Sequence, residues 1–208
     1  MATLLRIDEL NKPFNSDEYM LNYFAVMLIS QLRKDMRLSA AKDIREVILL
    51  VYTLIDTMQT YGEVDWNYVE TQFRDEFGKV VVEHSRNNQD IQNFIDEKTE
   101  DFMRITRENL ASDPYWTSDE RATMEAVNDA NTVIGYEEWQ EAMDDGMLYK
   151  VWVTENDSRV RPTHRKVDMV KIPIGDMFEV GDGVMRYPHD WYYNPKECYN
   201  CRCALTFK

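Results

Sequence analysis

The hydrophobic period of this chain changes once, at Met147, and that change constrains the fold more than any other feature of the sequence. Before it, apolar side chains recur at steps of three and four (Met20, Tyr23, Phe24, Met27, then Ile44, Val47, Ile48, Val51, Leu54, Ile55, Met58). That spacing lines one face of an α-helix. From Met147 the period is two, with Met147, Tyr149, Val151 and Val153 alternating with Leu148, Lys150, Trp152 and Thr154, as along a strand. The chain breakers follow the same division. Residues 151–208 hold three of the seven Gly and four of the six Pro, while the first 150 contain only Gly62, Gly78, Gly135, Gly146, Pro13 and Pro114. An α+β fold is expected: a mostly helical N-terminal region to about residue 145, then a small C-terminal domain of short strands joined by turns.

Helix signals subdivide the front. A break near Arg37-Leu38-Ser39, with Ser39 as N-cap, predicts helices over 17–37 and 40–61, closed by Gly62. A shorter helix over 65–77 should end at Gly78. Another, over 88–110, must stop before Asp113-Pro114, because the residue before proline avoids the helical region. Thr117-Ser118-Asp119-Glu120 matches a capping box and starts a helix over 118–133; a further short helix over 136–143 follows Gly135 and ends at Gly146. Strands are expected from Met147 and over 167–174, 184–187 and 204–207. Met20, Met27, Met58, Met103 and Met124 fall on helical apolar faces, so the twelve Met and the 12% aromatic content read as core filling rather than a cofactor box.

Charge excludes some functions. The 208 residues carry 24 Lys+Arg against 38 Asp+Glu, a net charge of -14, which argues against a general coat for nucleic acid or an anionic membrane. The imbalance is local: residues 151–208 hold nine basic and eight acidic side chains, leaving fifteen and thirty for the first 150. Two regions with different tasks are implied, and the scattered carboxylates of the front are expected on solvated helix faces. Apolar runs such as Val47 to Tyr52 are far short of the roughly 20 residues that span a bilayer. Met1 to Leu10 lacks a signal-peptide profile, so a soluble protein made in a cytosol is expected.

Two short segments carry chemistry. All three cysteines lie within six residues, Cys198-Tyr199-Asn200-Cys201-Arg202-Cys203. An odd count without a secretory context argues against a disulfide framework. Thiolates three and two residues apart can converge on one tetrahedral ion, and zinc prefers such sulfur donors completed by an imidazole. His164 and His189 are the candidates in the back half, and His84 is the remaining histidine. The second segment, Asp157 to Lys166, places Arg159, Arg161, His164, Arg165 and Lys166 within eight positions. It can dock a phosphate or carboxylate, or form a turn in which Asp157 caps the backbone and pairs with its own arginines.

In order along the chain stand Lys150-Val151-Trp152, Asp157-Ser158-Arg159-Val160-Arg161-Pro162-Thr163-His164, Asp168, Phe178, Tyr187-Pro188-His189-Asp190 and Asn200-Cys201-Arg202-Cys203. This order resembles the Mu F-like head morphogenesis family, the minor head proteins of tailed bacteriophages. Arg121-Ala122-Thr123-Met124-Glu125 looks like a degraded form of an upstream family segment, and Met169 stands where many members place a hairpin glycine. The resemblance implies a variable helical region over 1–115 and a head morphogenesis domain over 116–208. It also sharpens the metal expectation. Cys198 occupies the position of a family histidine, and His164 comes from the D-x-R-V-R-x-x-H turn, so the ligand set implied is His164, Cys198, Cys201 and Cys203, a closed structural zinc site within 147–208. Asp157, Arg159, Arg161 and Asn200 are then architectural: Asp157 holds the turn, and one arginine packs over the zinc site.

The function implied is a minor capsid protein, attached to the portal or inner capsid wall and acting in head assembly, DNA packaging or ejection. Its partners would be portal protein, major capsid or scaffold protein, with DNA contact by the C-terminal domain and no membrane anchor. Its location would be the virion, after synthesis in the host cytoplasm. A rival reading is a nuclease- or toxin-like enzyme on the same domain, with Asp157, Arg159, Arg161 and Glu125 as suspects. A third, a zinc-containing nucleic-acid module unrelated to phage, fits the acidic front poorly.

Overall fold

The computed structural model describes the backbone of residues 16–208 and the side chains from Leu32 onward. The expectations for Met20, Tyr23, Phe24 and Met27, and for Met1 to Leu10, lie outside the described side chains.

Among the described residues, four long helices precede the sheet region: α1 (Ser16–Tyr61), α2 (Trp66–Glu83), α3 (Gln89–Asn109) and α4 (Asp119–Asp144). A 3-10 turn, Pro114–Thr117, separates α3 from α4. Then come β1 (Tyr149–Val153), a single turn α5 (Pro162–Arg165), β2 (Lys171–Pro173), β3 (Phe178–Val180), β4 (Gly183–Met185), a 3-10 turn Pro195–Glu197 and β5 (Ala204–Phe207). The α+β reading holds.

Four helix boundaries differ from expectation. The break at Arg37-Leu38-Ser39 does not exist; α1 is continuous, because a helix interior accepts Ser at a cost below about 0.7 kcal/mol and neither Gly nor Pro intervenes. Gly78 lies inside α2, where the place its Cβ would take faces Ile95 at 3.6 Å. Gly135 likewise lies inside α4, so the expected helices 118–133 and 136–143 are one. There a Cβ would sit 3.3 Å from the Pro188 carbonyl oxygen and 3.3 Å from the Tyr187 ring. Neither glycine is a stop, and at Gly135 glycine allows a close approach. Ser118, rather than Thr117, caps α4: its Oγ accepts the Arg121 amide at 3.1 Å. Asp65 and Asn88 cap α2 and α3 in the same way.

The described residues form two compact units, Arg37–Ile134 and Gly135–Lys208 with the part of α1 up to Met36. The core of the first is aromatic: Phe73 stacks on Phe77 at 5.2 Å and on Phe102 at 4.6 Å, and Tyr52 stacks on Phe102 at 6.0 Å. Within it lies a buried charged group. Lys98 reaches Glu125 at 2.7 Å and Asp129 at 2.9 Å, and Arg121 approaches Glu125 at 3.6 Å while lying over Phe102 and Trp116. Arg121 also donates to the Thr106 hydroxyl and the Trp116 carbonyl. Burial pushes the Asp129 carboxyl up to about 7, against the pull of Lys98.

In the second unit β1 is the middle of a three-stranded antiparallel sheet, order β2-β1-β5, and β3 pairs with β4 in a hairpin. Ala204–Phe207 is as expected. The strand expected over 167–174 shrinks to Lys171–Pro173, because α5 runs on into turns over 166–169 and Met169 takes a left-handed backbone (φ 58°). The strand expected over 184–187 is Gly183–Met185, and Phe178–Val180 is an additional one, too short for periodicity to reveal. Lys150 and Trp152, on one face of β1, are both fully buried. The Lys150 ammonium donates to the Arg186 carbonyl at 2.6 Å beside the Trp139 and Phe178 rings, and burial lowers its pKa to about 8.

Candidate metal centre

Pro162, at the first position of α5, presets the helical backbone of this single turn. The turn carries His164, which is 1% exposed and meets the Trp152 ring edge-on at 5.5 Å. Trp152 in turn meets Phe178 at 5.2 Å, so β1 and β3 fix the imidazole from one side. From the other comes the cysteine loop. Asn200 adopts the left-handed backbone that Asn tolerates (φ 53°), and the Cys201 amide donates to the Cys198 carbonyl at 3.1 Å. The chain thereby reverses and points two sulfurs at His164.

The donor atoms of His164, Cys201 and Cys203 lie within 4.8 Å of one another, and all three residues are buried. His164 Nδ1 is 3.3 Å from Cys203 Sγ and 3.5 Å from Cys201 Sγ. Around a tetrahedral zinc with Zn–S of about 2.3 Å and Zn–N of about 2.0 Å, nitrogen and sulfur donors are separated by roughly 3.6 Å. The three residues fit such an ion, and thiolates with imidazole favour zinc among the common divalent metals. Hydrogen bonding to Cys201 lowers the Cys203 thiol to about 5, with His164 assisting against burial, while the same bond and burial push Cys201 up. One thiolate is thus formed readily, and its anion faces the imidazole.

Cys198 is buried but is not one of this trio; its Sγ donates to the Asn194 carbonyl at 3.4 Å. His189 and His84 stand elsewhere. His189 has a left-handed backbone (φ 70°) in the 187–190 turn, and His84 caps α2 and meets Asp43 at 2.8 Å.

The basic segment is spent on the architecture of this loop. Asp157 accepts the Arg159 amide at 2.9 Å and takes a two-pronged ion pair from Arg202, at 2.7 and 2.9 Å, which holds its carboxyl well below the usual range. Arg159 reaches Asp157 at 3.5 Å from an exposed position. Arg161 diverges from it, because 157–160 is a turn rather than the extended segment that would put both arginines on one side. It donates to the Glu197 carbonyl at 3.1 Å and to the Tyr199 carbonyl, clamping the loop that bears the cysteines. Arg165 binds the carbonyls of Asp157, Ser158 and Val160. Glu125, the fourth residue of the enzyme reading, belongs to the buried charged group of the other unit.

Other motif blocks also resolve into structure. The Asp168 carboxylate accepts the Thr154 amide at 2.8 Å, and Asp190 accepts from the Arg186 amide and guanidinium at 2.8 to 3.0 Å. These blocks lie within a family match: the family model described as Phage Mu protein F like protein matches residues 82–206. The chain belongs to the phage Mu protein F like family. Neither a curated protein nor a solved structure matches it. Membership makes this a phage head-related protein with capsid-related partners. The family match begins upstream of α3, so it takes in the Lys98, Arg121, Glu125 and Asp129 group as well as the His-Cys trio. Among the described residues no helix is long and apolar enough to cross a membrane.

Sequence reasoning missed Glu197 and Arg202. Arg202 lay in plain view between two cysteines, and its pairing with Asp157, 45 residues away, has no local signal. Glu197 precedes the first cysteine and binds His164 Nε2 at 3.0 Å.

Proposed function

We propose that this protein is a minor head component of a tailed phage, attached to the portal or inner capsid wall, in which a zinc-stapled C-terminal region is held rigid for assembly, packaging or ejection. The observation that carries this reading is membership of the Mu F like family over residues 82–206. The spending of Arg161, Asp157 and Arg202 on loop carbonyls and on one another supports an architectural task rather than turnover. His164, Cys201 and Cys203 hold the ion, and Cys198, two positions from the trio's loop turn, is the fourth donor after rotation of its side chain from Asn194. A zinc closed by four protein donors supplies folding energy and leaves no position for activated water. The acidic helical front, fifteen basic against thirty acidic residues in 1–150, suits a portal or scaffold surface with basic patches.

The test is direct. Purified virions or procapsids are analysed for the protein, and portal pull-downs for its co-purification; absence from both removes this reading. Elemental analysis of protein prepared without chelator is expected to give one zinc per chain.

A further inference from the structure

The geometry points to Glu197 as the positioning residue that commits His164 to the metal through Nδ1. This deepens the zinc reading and rests on it.

An imidazole has two nitrogens, and the one that binds a metal is decided by the partner of the other. In His164 the two are divided between different chemistries. Nδ1 faces the sulfurs of Cys203 and Cys201, at 3.3 and 3.5 Å, while Nε2 lies 3.0 Å from Glu197 Oε2. A carboxylate can only accept, so it demands the proton on Nε2 and leaves the Nδ1 lone pair for the ion. The side chains are 2% and 14% exposed, so water competes little for either role.

The Glu197 carboxylate is itself held from three directions. The Thr163 hydroxyl donates to Oε2 at 3.0 Å, and Arg161 binds the Glu197 carbonyl and approaches Oε2 at 4.0 Å. Gly181, in the β3–β4 turn at φ 66°, lies where a Cβ would come within 2.6 Å of Glu197 Oε1. Glycine at that turn therefore makes the space the carboxylate occupies. Thr163 on α5, Arg161 just before it and Gly181 in the hairpin turn thus converge on one acid.

The experiment uses the full chain and zinc alone. Zinc affinity is measured by competition with a chromophoric chelator for the parent, Glu197→Gln, Glu197→Ala and Thr163→Val, with far-UV circular dichroism confirming each fold. Loss of about 10- to 100-fold is expected for Glu197→Ala, as for other carboxylates behind a ligating histidine, with smaller losses for Glu197→Gln and Thr163→Val. Nitrogen NMR of the zinc-loaded parent should show His164 bound through Nδ1 with Nε2 protonated, and a scrambled pattern in Glu197→Ala. If Glu197→Ala does not fold, Glu197→Gln and Thr163→Val carry the test. A parent that binds zinc while folded variants bind equally tightly, or that binds through Nε2, overturns this inference alone; a parent that binds no zinc overturns the metal reading with it.

Discussion

Single side chains decide how the cysteine loop is held. Arg161 satisfies two loop carbonyls from a half-buried position, 35% exposed. Arg161→Ala should cost about 1–2 kcal/mol, the worth of two partly solvated hydrogen bonds, and Arg161→Lys somewhat less, because an ammonium keeps a donor for one carbonyl although it cannot fork to both. Urea midpoints measure both; an unchanged midpoint in Arg161→Ala would show that the clamp carries no stability. Asp157 offers a different handle. Its pKa is held below the ordinary 3.8, chiefly by Arg202, so its contribution is present above about pH 4 and is lost as pH falls through its folded value. Asp157→Asn should remove that part of the acid sensitivity, and salt should weaken the parent toward the variant because the pair is exposed. Here the sequence was informative about Asp157 as a turn holder and about one of the two arginines, Arg159 or Arg161, lying near the cysteines, without saying which. It was silent on which partner each would find, since those partners lie 36 to 45 residues away.

Among helices, the two internal glycines make opposite predictions. In α2 a Cβ at Gly78 meets Ile95 only at ordinary contact, 3.6 and 3.8 Å. Gly78→Ala should therefore stabilise by about 0.5–1 kcal/mol, the helix-propensity difference. In α4 the space at Gly135 ends on a backbone carbonyl and a ring at 3.3 Å. Gly135→Val should destabilise by about 1–3 kcal/mol through overpacking. Thermal melts of both variants check the pair, and equal shifts would contradict it. The same contrast explains why periodicity and Gly signals placed the helices but misplaced their ends. A glycine reads as a stop in one dimension, whereas Gly135 answers to a neighbour brought in by the fold and Gly78 sits in a helix that packing carries through it.

The α3–α4 pairing adds a pH dependence. Asp129 is fully buried and faces Lys98, with Glu125 and Arg121 in the same group. Folded, its carboxyl titrates near 7; unfolded, near 3.8. Between those values the folded chain holds a proton that the unfolded chain has released, so this group's contribution falls as pH rises from about 4 to 7 and is flat above. The difference in urea midpoint between the parent and Asp129→Asn should change across that window. A difference constant with pH would mean that Asp129 is ionised throughout. Arg121 and Glu125 were visible as a sequence segment, but only packing shows that Glu125 meets the Lys98 ammonium as well as the Arg121 guanidinium.

For the whole molecule, the two units should respond differently to metal loss. Structural zinc contributes its binding free energy to folding, and the His-Cys trio lies entirely in the Gly135–Lys208 unit. A chelator should abolish the near-UV signal of Trp139, Trp152 and Trp191 while most helical signal from Arg37–Ile134 persists. Simultaneous loss of both, or of neither, would count against a local staple. At this scale, too, attraction of the acidic front to a head partner should weaken steadily as salt rises, which a pull-down series reads.

What the sequence determined by itself was everything local or periodic. The change of period at Met147 set the α+β division, the capping segment Thr117 to Glu120 set the start of α4 to within a residue, and the spacing of Cys198, Cys201 and Cys203 set a metal-competent cluster. These follow from interactions within a few residues, which a chain displays wherever it is folded. Tertiary structure alone decided the rest. It ran α1 and α4 through their apparent breaks, left Cys198 outside the trio, paired Asp157 with Arg202, and set Glu197 behind His164. Each of those depends on which distant surface a residue meets once the core is buried, and packing at van der Waals distance is invisible to any pattern of neighbours along the chain.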